Sequence, residues 1–169
     1  LKNGDRVLVF CCGTGLDFPY ILEKIGRDGK IIGVDFSAEM LGSASERIKE
    51  NGWENIELIE ADITEFDNKV VPAADAGVCT LGLSIIPHFK AGYCNLLSNG
   101  RDGGEIIIGD MQLASGWRAR LNAVTFMMAR KFGGSHEGHQ NSLELCSMIN
   151  EDLIEVRKRE FFLKAYYYC

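Results

Sequence analysis

The sequence contains little proline, little histidine and no long hydrophobic run. Among its 169 residues are 3 prolines and 3 histidines. No stretch of 18 or more apolar residues occurs, so we expect no transmembrane helix. Cationic residues are outnumbered, with 18 Lys and Arg against 24 Asp and Glu, which gives a net charge of −6. Because nucleic acid attracts basic surfaces, we expect this acidic chain to have no nucleic-acid partner.

The six cysteines lack the spacings of metal sites and redox pairs. No Cys-x-x-Cys occurs, and no cysteine–histidine set has zinc-finger spacing. We therefore expect reduced thiols, no metal site and a cytoplasmic protein. The alternative metal set is His136 and His139 with Cys146 downstream, but the two histidines lie in a Gly-rich polar stretch that predicts a loop.

Short apolar runs alternate with amphipathic stretches along the chain. The runs predict strands over 6–11, 30–35, 56–62, 74–82 and 104–110, with two more within 153–169. The stretches predict helices over 16–26, 37–52, 88–97, 116–132 and 142–149. Alternation implies parallel strands joined by right-handed crossovers. Since no helix separates the last two strands, they are predicted to be antiparallel. The prediction is an open α/β sheet, doubly wound and mostly parallel, with an antiparallel strand near its C-terminal end.

One domain is expected over residues 1–169. No repeat, low-complexity tract or Pro- or Ser-rich linker interrupts the chain. Leu1 stands almost directly before the first predicted strand, and we expect native N-terminal residues to precede it. No signal peptide is recognised, and the question of a targeting segment stays open.

The run VLVFCCGTGLDF, residues 7–18, joins the first predicted strand to a glycine turn. In an open α/β sheet, ligands bind beyond the carboxyl ends of the strands. Gly13 and Gly15 allow a tight turn and a close approach of the backbone to a ligand. The helix that follows offers N–H groups that have no partner within the helix. Cys11 and Cys12 are predicted to end the strand, with Cys11 in an extended conformation.

Two aspartates end the second and third predicted strands. Asp35 follows Gly15 by twenty residues, a position from which a carboxylate accepts hydrogen bonds from both hydroxyls of a ribose. A carboxylate at Asp62 could accept from the amino group of an adenine. A dinucleotide site favours a third glycine where this chain has Phe18. The alternative for both acids is that they only cap the helices that follow.

These motifs resemble those of the class I S-adenosylmethionine-dependent methyltransferases. VLVFCCGTG looks like their first motif, commonly V-L-D-L-G-C-G-T-G, and IIGVDFSAEML, IELIEADITEF and ADAGVCTLGLSIIP are similar to the regions of their next three strands. The run DFSAEML looks most like the ubiquinone/menaquinone methyltransferase branch. The resemblance implies a Rossmann-like methyltransferase fold of seven strands with the last antiparallel. It also implies an enzyme that transfers a methyl group from S-adenosylmethionine to a small-molecule or lipid-like acceptor.

The resemblance also implies a cofactor site at the carboxyl ends of the first four strands. Two departures affect it: Val9 stands where the first motif has an acid, which removes a polar partner of the cofactor's amino group, and Cys11 replaces the first glycine. The implied site consists of the backbone of Cys11, Gly13 and Gly15 beside the methionine moiety, Thr14 in the same loop, Asp35 at the ribose, Phe36 and Met40 flanking the adenine, Asp62 and Ile63 at the adenine edge, and Thr80 and Leu81 near the sulfonium.

The acceptor side is predicted from one histidine and one basic segment. His88 lies close to the predicted active edge, where a neutral imidazole suits a general base; the alternative is an exposed residue at a helix start. Residues 111–132 carry four cations and no acid, interleaved with bulky apolar side chains. We expect Trp117 and Arg118 to bind an apolar or anionic acceptor, with contact to a membrane surface as a further prospect. The alternative is a core helix with basic ends.

Two other classes of function stay open. A non-catalytic domain that binds a nucleoside or a partner protein is kept open by Val9, since the missing acid would weaken a cofactor site. A nicotinamide oxidoreductase is disfavoured because Phe18 stands at the position of the third glycine.

Overall fold

A computed structural model describes most of the chain. The described residues are 1–67, 69–111, 136–161 and 166–168. They fall into two compact units, of which the first comprises Leu1–Thr80 and Lys90–Ile107 and the second Leu81–Phe89 and the described part of Ile108–Cys169.

Strands and helices alternate through the first unit, as the sequence predicted, except that no helix separates the third and fourth strands within the described residues. Their bounds are β1 Arg6–Phe10, α1 Phe18–Ile25, β2 Lys30–Asp35, α2 Ala38–Asn51, β3 Ile56–Glu60, β4 Ala74–Thr80, α3 Phe89–Ser98, whose first residue lies in the second unit, and β5 Gly100–Met111, whose last four residues do so. The strand order is β3-β2-β1-β4-β5, and the β1–β2, β1–β4 and β2–β3 pairs are parallel. The sheet is therefore mostly parallel, with its topological switch point between β1 and β4.

The core of the first unit forms around β1. Val7 and Val9 are buried and pack in one apolar cluster with Phe18 and Ile21 of α1 and Leu41 of α2. A parallel strand covered on both faces reads as a continuous apolar run, which is why the pattern of β1 was recognisable in the sequence. A rigid central strand then fixes where the loop that follows it begins.

The second unit holds the end of β5, a 3-10 turn over Leu83–Ile85, and three further elements. These are α4 His136–Asp152, β6 Arg159–Phe161 and β7 Tyr166–Tyr168. The last residues of β5 pair antiparallel with β7, and β6 pairs antiparallel with β7. Among the described residues, no helix is long and apolar enough to cross a membrane.

Helix α4 begins earlier than predicted. The expected loop around His136 and His139 forms the first turn of the helix. Gly138, Ser142 and Leu145 are buried and follow one another at spacings of four and three residues, so they lie on one face of α4. Because glycine and serine are not apolar markers, the sequence pattern did not reveal this buried face.

Candidate functional site

The carboxyl ends of three neighbouring strands bring Cys11, Asp35 and Thr80 together. Phe10 is the last residue of β1 that pairs with β2 and β4, and these three residues come next along their strands. Open α/β sheets bind ligands at this edge, beside the switch point. The first unit therefore places the predicted cofactor residues of β1, β2 and β4 where a ligand is expected.

The loop after β1 has an unusual backbone. Cys11, Gly13 and Gly15 all have positive φ angles, of 52°, 53° and 74°. The expectation of an extended Cys11 was wrong, because β1 ends at Phe10 and Cys11 already begins the turn. The left-handed conformation of a residue other than glycine costs about 1–3 kcal/mol and persists only where the surroundings enforce it. Here the N–H of Cys12 is held by the carbonyl of Val34, at 3.1 Å.

The two loop glycines serve different purposes. A Cβ on Gly13 would meet no atom within 4 Å, so the backbone there faces open space. A Cβ on Gly15 would lie 2.6 Å from the ring of Phe18, which is fully buried. Gly13 thus leaves room for a ligand, whereas Gly15 leaves room for the core. Phe18, at the position of a third dinucleotide glycine, fills the space under the loop.

Asp35 connects the glycine loop to the start of α2. Its Oδ2 accepts the N–H of Gly13 at 2.8 Å, and its Oδ1 accepts the N–H of Ser37 at 2.9 Å. The hydroxyl of Ser37, rather than Asp35, caps α2 by accepting the N–H of Met40. Each carboxylate oxygen has a second lone pair. Asp35 therefore shapes the loop and can still accept ribose hydroxyls.

Two large apolar side chains are exposed beside Asp35. Phe36 is 77% exposed and Met40 is 46% exposed, on either side of the cap residue Ser37. Exposed aromatic and thioether groups at a ligand edge offer flat, polarisable surface for a heterocycle. The adenine contact that the resemblance implies for these two side chains stays a prediction.

Asp62 follows β3 at the same edge. The N–H of Ala61 donates to the carbonyl of Asp35 at 3.0 Å, which draws the two strand ends together. Asp62 Oδ1 accepts the N–H and the hydroxyl of Thr64, at 2.8 and 2.7 Å, so the side chain is oriented within a turn. Ile63 is buried, and its carbonyl accepts from the side-chain amide of Asn95. Within residues 61–67 a turn follows β3, and no helix begins for Asp62 to cap.

Sequence reasoning missed Arg47 and Asp17, whose side chains also make hydrogen bonds at this loop. Arg47 of α2 donates from Nε to the carbonyl of Thr14 at 2.9 Å. Thr80 donates its hydroxyl to Asp17 Oδ2, across 63 residues of sequence. Asp17 stands at the N-cap position of α1, a place that sequence reasoning reads as a helix start. Only the pairing of β1 with β4 reveals its contact with Thr80.

The adjacent cysteines are part of this loop. Burial raises the pKa of the Cys12 thiol to about 12, and the negative charge of Asp35 adds to the effect. A thiol that stays protonated at neutral pH is a poor nucleophile. Among the residues that the structure describes, no group of three His, Cys, Asp or Glu side chains could hold a metal ion.

The second unit carries two of the predicted residues. Leu81 is half-exposed with φ 55°, and its N–H donates to the carbonyl of Gly109 at 2.7 Å. His88 is exposed with φ 58°, directly before α3. A positive φ at a residue other than glycine is uncommon and clusters at functional sites. The predicted acceptor residues Trp117 and Arg118 lie outside the described residues.

A buried polar pair in the second unit was not predicted. Ser84 Oγ donates to Asp110 Oδ1 at 2.9 Å, and both residues are more than nine-tenths buried. The side-chain amide of Asn141 on α4 donates to the carbonyl of Ser84 at 3.0 Å. Asp110 could have been predicted as a site residue, since it is an acid near the carboxyl end of β5. Nothing in the sequence around Ser84 and Asn141 indicates that they contact this region.

Comparison with known proteins gives the context of this edge. Residues 1–154 match a family described as a methyltransferase domain. A demethylmenaquinone methyltransferase of Listeria welshimeri is 29% identical over 138 residues, which are 79% of this chain and 57% of that protein. A demethylmenaquinone methyltransferase of Bacillus subtilis is 30% identical over 110 residues, 63% of this chain and 46% of that protein. The chain thus spans about half the length of these curated relatives.

The fold is similar to that of solved methyltransferase structures. A SAM-dependent methyltransferase from Aquifex aeolicus superposes with a TM-score of 0.75 at 19% identity, covering 99% of this chain and 81% of that one. The mostly parallel sheet is therefore of the Rossmann-like methyltransferase type. Since the family match covers most of the sequence, this chain belongs to the methyltransferase-domain family.

Proposed function

We propose that this protein transfers a methyl group from S-adenosylmethionine to a small, quinone-like acceptor. The observation that carries the proposal is the carboxylate of Asp35, which holds the N–H of Gly13 at the carboxyl edge of the sheet. This hydrogen bond holds the glycine loop next to Asp35, the residue predicted to accept the ribose hydroxyls. The methyltransferase family and the demethylmenaquinone methyltransferases among its relatives support both the reaction and the class of acceptor.

The residues present fit S-adenosylmethionine. Open space over Gly13 admits a ligand close to the backbone, and the exposed ring of Phe36 can cover an adenine face. Asp35 retains acceptor capacity for the ribose hydroxyls. When bound, the cofactor supplies an activated methyl group on a sulfonium. The protein's part is then to fix the donor, orient the acceptor and exclude water.

S-Adenosylhomocysteine is expected to stabilise the wild-type protein, and NAD is not. At a free concentration about 100 times the Kd, a ligand stabilises the folded state by about 2.7 kcal/mol. For a chain of this size that corresponds to a rise in Tm of roughly 5–10 °C. Thermal unfolding monitored with each ligand measures it. A rise with NAD alone would support the oxidoreductase alternative. A rise with S-adenosylhomocysteine but no transfer to any quinone-like acceptor would favour a non-catalytic binding domain.

On the acceptor side, we propose His88 as a general base for a hydroxyl or an activated carbon. Its positive φ makes Asn the matched replacement, because Asn tolerates the left-handed region. His88→Asn is expected to lower kcat by about 100-fold, the typical contribution of general base catalysis. Affinity for S-adenosylhomocysteine, measured by titration calorimetry, should not change. Turnover equal to wild type would mean that His88 only precedes α3.

Further proposals concern the acceptor residues, the partners and the domain organisation of this chain. We propose that Trp117 and Arg118 bind the acceptor, and that a lipid-like acceptor brings this acidic protein to a membrane surface but not to nucleic acid. Residues 1–169 are proposed as one cytoplasmic domain. Its complete sheet would have seven strands with the last antiparallel, which the pairing of β7 with β5 supports.

A further inference from the structure

At the carboxyl edge of the sheet, a side-chain hydrogen bond links the loop after β1 to the end of β4. Thr80, the last residue of β4, donates its hydroxyl to Asp17 Oδ2 in the loop that follows β1. Both side chains are half-buried. Because sheet order reverses here, the crevice above these two residues is where an open α/β sheet receives its ligand.

Asp17 is not explained as a helix cap. It occupies the N-cap position of α1, yet its side chain makes no capping hydrogen bond, and its φ and ψ of −80° and −20° are helical. Within the described part of the chain, Thr80 is the only hydrogen-bond donor to this carboxylate, and no cation pairs with it. A half-buried carboxylate with one neutral donor retains a strong capacity for a cationic ligand group.

β1 itself carries no acid at position 9, because Val9 stands where the first motif has one. Its side chain is 1% exposed and lies in the apolar cluster with Cys12 and Phe18. An acid at position 9 would be surrounded by these apolar groups, whereas Asp17 stands at the loop itself. Asp17 therefore supplies the negative charge where the loop meets β4, whereas Asp35 supplies it where the loop meets β2.

We propose that Asp17, oriented by Thr80, binds the α-ammonium group of S-adenosylmethionine and S-adenosylhomocysteine. This inference rests on the function proposed above. The cofactor carries two cationic centres, but only the ammonium donates hydrogen bonds. The sulfonium has no N–H or O–H, and its methyl group must face the acceptor. A carboxylate that already accepts one hydroxyl can accept the ammonium through its remaining lone pairs.

The test compares two ligands that differ in the amino-acid part alone. 5′-Methylthioadenosine keeps the adenosine and the sulfur of S-adenosylhomocysteine but has no ammonium. Asp17→Asn, which preserves size, should lower affinity for S-adenosylhomocysteine by roughly 10–100-fold, the value of a hydrogen bond to a charged group. Its affinity for 5′-methylthioadenosine should equal that of wild type. Thr80→Val should lower only the first affinity, by a smaller factor.

A second measurement uses the wild-type protein, so it does not depend on the variant's folding. An S-adenosylhomocysteine analogue without the α-amino group should bind wild type as weakly as S-adenosylhomocysteine binds Asp17→Asn, and the variant should not weaken it further. Equal affinity of wild type for the analogue and for S-adenosylhomocysteine would overturn the proposal. So would an Asp17→Asn variant that loses both ligands equally, since that pattern indicates a distorted loop. If wild type binds neither S-adenosylhomocysteine nor 5′-methylthioadenosine, the proposed function itself fails.

Discussion

Asp35→Ala is expected to weaken binding of S-adenosylhomocysteine by about 3 kcal/mol, more than a hundredfold in Kd. Two effects combine. The ribose hydroxyls lose a charged acceptor, and the N–H of Gly13 loses the partner that fixes the loop. The second effect should also lower the free energy of unfolding by about 1–2 kcal/mol, because a half-buried N–H is left unpaired. Titration calorimetry and urea denaturation on the same variant measure the two effects.

Asp35→Asn is the matched control. The amide has the same shape but one acceptor oxygen, so it can hold either Gly13 or Ser37 but not both. Its affinity should lie between those of Asp35→Ala and wild type. If Asp35→Ala lost stability while its affinity for S-adenosylhomocysteine stayed at the wild-type value, Asp35 would be a purely structural residue of the loop.

Gly15→Val is expected to lower the free energy of unfolding by roughly 3–5 kcal/mol. A β-branched side chain at φ 74° is strained by about 1–3 kcal/mol. Its Cβ also falls 2.6 Å from the buried ring of Phe18, and such overpacking adds about 1–3 kcal/mol. The ring has no open side, so it cannot move away cheaply. Urea denaturation of the variant and wild type measures the difference.

Gly13→Ala separates backbone strain from ligand space in the same loop. At φ 53° with no atom within 4 Å, alanine should lower the free energy of unfolding by only about 1–2 kcal/mol. The new methyl group occupies the space over the loop, so affinity for S-adenosylhomocysteine should fall by more than tenfold. Wild-type affinity in Gly13→Ala, or wild-type stability in Gly15→Val, would contradict the assignment of ligand space to one glycine and core space to the other.

The sequence by itself determined the elements and the edge at which they present the site. Buried parallel strands are near-continuous apolar runs, so β1, β2 and β4 could be recognised locally. In a parallel sheet all carboxyl ends meet at one edge, so an acid at the end of β2 was predictable as part of the same site as Gly13. The residue type of Asp35 and the rule that ligands bind at the carboxyl edge of the sheet were enough to predict its place beside the glycine loop.

Other features needed the tertiary structure because they depend on register or on packing between distant segments. The left-handed Cys11 follows from the residue at which β1 stops pairing with its neighbours. The purpose of Gly15 depends on where the Phe18 ring packs, and the first turn of α4 forms because small residues are buried there. The contact between Asp17 and Thr80 joins residues 63 apart, and only the alignment of β1 with β4 brings them together. No local pattern encodes that alignment, because side-chain periodicity fixes the face of a strand but not which residue of a distant strand lies beside it.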